Sequence, residues 1–169
     1  MGKKSIKENK NIYQECRECK DWSREKACEE LGCISQSNLV KIENSTRTPE
    51  PEEVLAMART YGNHSLCNYY CSNECPIGQI NVPEIKSKEI SQITLQMLST
   101  LNSLNKEKDR LIDILCDGEI SADEVDDFIR IKEHFDEMTS SIEAFKLWLN
   151  ETIDSGKIDK AILVDKLNK

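Results

Sequence analysis

Residues 22–62 read WSREKACEELGCISQSNLVKIENSTRTPEPEEVLAMARTYG, and the punctuation of this stretch decides the fold. Ser23 can cap a helix N-terminus, although Lys26 at the third helical position leaves it without the acid of a capping box. Gly32, after Leu31, ends that helix as a left-handed C-cap, and Ser35 caps the next. Thr48-Pro49-Glu50-Pro51 cannot continue a helix, because proline removes a donor and restricts the residue before it, yet it opens one well. The spacing predicts helices over residues 23–31, 35–44 and 51–61, preceded by one over 12–20. In the 51–61 helix, Val54, Leu55, Ala58 and Tyr61 form an apolar stripe.

In the 35–44 helix, Leu39 and Ile42 lie three apart and face inward, which leaves Gln36, Ser37, Val40 and Lys41 on the outer edge. The preceding helix buries Ala27, Cys28 and Leu31, groups small enough for two helices to approach closely, and residues 32–35 make a short turn between them. Two helices so joined form a helix-turn-helix unit, whose second member can present side chains to a DNA groove.

Over residues 11–62 the sequence closely resembles the phage-repressor-like Xre/Cro family of helix-turn-helix regulators. The resemblance rests on the Leu31-Gly32 turn, the Ile42-Glu43-Asn44 triplet and the Arg47-Thr48-Pro49 that follows it. The chain departs from the family pattern at Arg24, where glutamine is common, at Cys33-Ile34, which adds a residue to the turn, and at Ser45, in place of the usual glycine. The resemblance implies a repressor-like domain of four or five helices that binds double-stranded DNA. It implies that Ser23 and Arg24 touch a phosphate beside backbone amides that favour an anion, and that Asn44 and Arg47 grip the backbone. Gln36, Ser37, Val40 and Lys41 would then face base edges or nearby phosphates in the major groove, Gln36 pairing an adenine bidentately and Val40 packing on a thymine methyl.

The composition around this module fits a helical chain. Of the 169 residues, 38% are hydrophobic and 32% charged, but only 5% are aromatic, which excludes a sandwich built on aromatic strands. No apolar run approaches the roughly 18 residues that span a bilayer, and the N-terminus MGKKSIKENKNIY lacks the apolar stretch of a secretion signal, so a cytoplasmic protein with no membrane partner is expected. The net charge of −8 excludes a uniformly basic nucleic-acid coat. Lys/Arg and Asp/Glu balance over residues 1–62, so the remainder carries the whole deficit and the acidic part is not where phosphate would dock.

Beyond the module, residues 63–86 form a cysteine-rich junction with CNYYCSNECPIG at its centre. Then Ile90, Ile93, Met97, Leu101, Leu104, Leu111 and Leu115 recur at helical spacing, with no Gly or Pro until Gly118. Ser121-Ala122-Asp123-Glu124 reads as a capping box, and a second stripe follows through Val125, Phe128, Phe135, Met138, Ile142, Phe145 and Leu149. Residues 87–150 should fold as a long antiparallel helical hairpin of coiled-coil type. Its faces are apolar over about 40 Å, so a partner is expected, either a second copy, giving a homodimer, or a short last helix near Ile158 to Leu167. The flanks, 1–10 and 151–169, are expected to be an arm and a tail.

The eight cysteines, without a signal peptide, read as thiols rather than a disulfide framework. Cys16, Cys28 and Cys33 fit small buried hydrophobes. Cys67, Cys71 and Cys75 differ, because a spacing of four brings sulfurs to one side of a helix, His64 lies three before the first, and the set could hold zinc or an iron–sulfur cluster. Asp113 to Glu124 mimics a calcium loop but has Leu115 where an oxygen ligand is needed, and His134 should be exposed on a charged face. No nucleophile, base and orienting group assemble from local motifs, so no enzyme is expected.

Together these readings describe an all-α chain: a repressor-like helix-turn-helix domain, a cysteine-rich junction and a helical hairpin. The expected function is sequence-specific transcription regulation, with a homodimer on a palindromic operator. The alternatives are a protein-interaction adaptor using a module that does not bind DNA, and a metal- or redox-responsive regulator acting through Cys67, Cys71 and Cys75.

Overall fold

A computed structural model describes residues 10–85 and 89–157. The expected arm before Lys10 and the expected last helix near Ile158 to Leu167 lie outside the described residues. Within them every regular element is helical: α1 Ile12–Cys19, α2 Arg24–Leu31, α3 Gln36–Glu43, α4 Pro51–Tyr61, α5 Ser65–Asn73, α6 Gly78–Asn81, α7 Ile90–Leu115 and α8 Val125–Asp154. No helix among the described residues is long and apolar enough to cross a membrane. The chain divides into two units, Met1–Glu84 with Asn150–Lys169, and Ile85–Leu149.

In the first unit the helix ends form where the local chemistry dictates. The Asn11 side chain accepts the Gln14 amide at 3.0 Å and begins α1. Gly32 and Gly62 close α2 and α4 at φ 66° and 65°, a left-handed conformation that costs glycine nothing. Glu50 opens α4 with a complete capping box, its amide donating to the Glu53 carboxylate at 2.8 Å, with Pro51 in the first turn.

The core of this unit joins Tyr13, Leu31, Leu39, Ile42, Met57 and Leu66, each almost fully buried. Two details differ from the sequence expectation. On α4 the buried stripe is Val54, Met57, Ala58 and Tyr61, while Leu55 is 45% exposed, because the side of α4 that meets the core is rotated toward Met57. The residues read as a junction fold into α5 and α6: Leu66 is buried in the same core, Cys67, Tyr69 and Tyr70 pack on it, and the Tyr13 hydroxyl donates to Glu74 at 3.0 Å. Gly78 permits the return of the chain, since a Cβ there would fall 2.1 Å from the Cys71 carbonyl oxygen.

In the second unit α7 and α8 pack antiparallel. Ile93, Thr100 and Ile114 from α7 and Ile131, Ser141 and Ala144 from α8 are buried. Polar pairs between the helices set their register. Arg130 Nε donates to Glu107 at 2.7 Å, Arg110 Nε donates to Asp127 at 2.7 Å, and His134 Nδ1 lies 2.8 Å from Glu107. His134 is therefore half-buried against α7, not exposed as its charged neighbours suggested. At the turn, Glu124 accepts the Ser121 amide at 3.1 Å and the Ser121 hydroxyl at 2.5 Å, which is the returning half of the expected capping box.

Candidate nucleic-acid interface

Three short polar contacts and one glycine build the α2–α3 corner. The Ser23 hydroxyl oxygen accepts the Lys26 amide at 3.2 Å, and that of Ser35 accepts the Asn38 amide at 3.3 Å, so each helix starts on a serine cap. Gly32 turns the chain between them, its amide donating to the Cys28 carbonyl at 2.9 Å. Ala27, fully buried, lets α3 come close to α2. The residue added to the turn is absorbed by Ile34, which is buried in the core, while Cys33 is exposed; the expectation that Cys33 is a buried hydrophobe is corrected accordingly. Cys16 is buried and Cys28 half-buried.

The inner end of α3 is fixed by charge. Glu43 is fully buried and accepts from Arg17 Nε at 2.6 Å, from an Arg17 terminal nitrogen at 3.0 Å and from Arg24 Nε at 2.7 Å. Arg17 also donates to the Trp22 carbonyl at 2.6 Å. Burial alone would depress the Arg17 pKa, but its bonds to Glu43 and the charge of that carboxylate outweigh it and raise the value. Burial, and next the same carboxylate, raise the pKa of the Tyr61 phenol and the Cys28 thiol. The last turn of α3 is thereby bolted to α1 and α2.

On the outer edge of α3, Gln36, Ser37, Val40 and Lys41 line one shallow concavity open to solvent, while Leu39 and Ile42 fill the core behind them. A short helix seated on a second, with its polar edge free and its apolar edge locked, can enter the major groove of a duplex. Residues 14–65 match the helix-turn-helix family model. This part of the chain is a helix-turn-helix domain of the Xre/Cro type, a family of DNA-binding regulatory domains. The match ends at residue 65, and the C-terminal part has no family match. No curated protein and no solved structure matches the chain.

Within the helix-turn-helix domain the sequence-expected site residues fall into two groups. Gln36, Ser37, Val40 and Lys41 share one open edge of α3, and no ion pair among the described residues engages Lys41. The flanking residues are held by the fold. Ser23 caps α2, Asn44 caps the C-terminus of α3, and Arg24 is tied through Nε to Glu43. One terminal nitrogen of Arg47 reaches both Glu53 oxygens, at 2.8 and 3.0 Å. Sequence reasoning missed the carboxylates of Glu43 and Glu53 as the groups that orient these arginines. The signal for Glu53 was its place in the first turn of α4, six residues after Arg47. Glu43 carried no local signal, because its partner Arg17 lies 26 residues away.

Among the described residues no group of three or more His, Cys, Asp or Glu side chains is placed to hold a metal. Cys67 and Cys71 are one turn apart on α5, but the helix ends at Asn73 with Glu74 as its cap, so Cys75 leaves the helical register and the three thiols do not gather. The thiols expected to hold zinc or an iron–sulfur cluster are thus not assembled among the described residues. Burial, and then the neighbouring Cys71, push the Cys67 thiol pKa upward.

Proposed function

We propose that the chain is a sequence-specific transcription regulator that occupies a palindromic operator as a homodimer through residues 87–150. Gln36, Ser37, Val40 and Lys41 read bases and adjoining phosphates, and Ser23, Arg24, Asn44 and Arg47 set position on the backbone. The observation that carries this reading is the open outer edge of α3, backed by buried Leu39 and Ile42 and by the Arg17–Glu43 bolt. Arg24 remains 34% exposed and Arg47 27%, so each can offer further donors to a phosphate while one contact fixes its direction.

One observation favours a second reading, an adaptor that docks a protein on the same module: carboxylates already accompany both arginines, which lowers the positive potential of the surface. A salt titration of the full chain against genomic DNA fragments separates the two. Release of counterions makes the affinity of a regulator fall steeply with salt, whereas an adaptor retains no fragment at any salt concentration.

A further inference from the structure

The second unit leaves apolar surface that its own two helices do not cover. The side of each helix that faces the other is marked by the Glu107–Arg130 and Arg110–Asp127 bonds and by buried Thr100 and Ser141. The apolar repeats run along different lines. On α8 they step by three and four from Phe128 through Phe135, Met138, Ile142 and Phe145 to Leu149, with Lys132 as the one polar interruption. On α7 they step from Met97 through Leu101 and Leu104 to Leu115, with Lys108 as the one polar interruption.

At 3.6 residues per turn each line is rotated about a quarter turn from the mutual seam, and in both helices toward the same sense of winding. Antiparallel helices wind oppositely when viewed from one end, so equal rotations carry both lines to the same side of the hairpin. One continuous apolar face results, and this is why Leu101, Leu115, Phe135, Ile142 and Phe145 remain 38–52% exposed.

We propose that this face takes a second copy of the chain, forming a symmetric four-helix bundle with Leu101 and Phe135 at its buried centre. The inference rests on the homodimer reading above and gives it a surface. With a 26-residue α7, the face is about 40 Å long and about 20 Å wide, which is about the 800 Å² per partner of a stable interface. Repeats of three and four residues on both helices form a seam for other helices. A face that meets its own copy closes under twofold symmetry, so a dimer covers this face in both copies. An anionic membrane is disfavoured as the occupant, because residues 85–149 carry fourteen Asp/Glu against eight Lys/Arg and so most of the net negative charge.

The test is sedimentation equilibrium of the full chain without DNA, with circular dichroism of each variant. The wild type is expected as a dimer whose melting temperature rises with concentration. The double variant Leu101→Glu/Phe135→Glu is expected to keep its helicity at high concentration while dimerising at least about 100-fold more weakly. Leu95→Glu, at a position 68% exposed across α7 from the stripe, is expected to dimerise as the wild type does. A monomeric wild type at high micromolar concentration overturns the proposal and the homodimer reading together. A double variant that stays dimeric, or a Leu95→Glu chain that dissociates equally, overturns this face while the homodimer reading stands.

Discussion

The carboxylate of Glu43, at the end of α3, lies 2.6 Å from Arg17 Nε on α1 in a fully buried pocket. The ion pair spans 26 residues of sequence and joins α3 to α1, which is not its neighbour along the chain. Its geometry is bidentate, with Arg24 supplying a third bond, so the buried carboxylate is neutralised by two arginines.

Removing one partner of such a pair leaves the other charge buried and unmatched. Glu43→Ala is therefore expected to lower the stability of the chain by about 3–5 kcal/mol, measured by the urea midpoint. A loss within the range of ordinary exposed substitutions would mean that the bolt does not hold α3.

Ser45 adopts φ 57°, the left-handed region where a Cβ is strained, at the position where the Xre/Cro pattern has glycine. Ser45→Gly relieves that strain and is expected to raise stability by about 1 kcal/mol, read as a higher melting temperature. The substitution forfeits the weak 3.4 Å contact from the Asn11 side-chain amide to the Ser45 hydroxyl.

Lys41 is the cation of the open edge of α3. Lys41→Ala is expected to weaken binding to a selected operator fragment and to reduce the salt dependence of that binding by about one charge. An unchanged dissociation constant and salt slope would remove Lys41 from the interface.

Acid should loosen the hairpin unit through Glu107 and Asp127. The bond from Arg130, helped by His134 against partial burial, holds the Glu107 carboxyl below its ordinary value, and bonds from Arg110 and then Arg130 do the same for Asp127. A carboxyl whose folded pKa is depressed adds stability that is complete above its unfolded value, about 4, and is lost as pH falls through the folded one. Stability followed by circular dichroism under mild denaturant is expected to stay flat from neutral pH to about 5 and to fall below about 4, less so in Glu107→Gln.

Much of this protein is written locally. Serine caps at Ser23 and Ser35, glycine at 32 and 62 and the proline-opened α4 fix the helix ends, because each acts through bonds within a few residues. The apolar spacing of Leu39 and Ile42 likewise decides which edge of α3 is free. The tertiary structure alone decided the rest. Whether Leu55 or Met57 enters the core, whether Cys75 stays with Cys67 and Cys71, and whether His134 meets solvent or Glu107 all depend on the angle at which one helix meets another. The same holds for Glu43, whose charge is tolerable in the interior only because folding brings two distant arginines to it. A sequence states periodicity and caps, while burial of charge and rotation of a helix face are settled by neighbours that the local pattern does not contain.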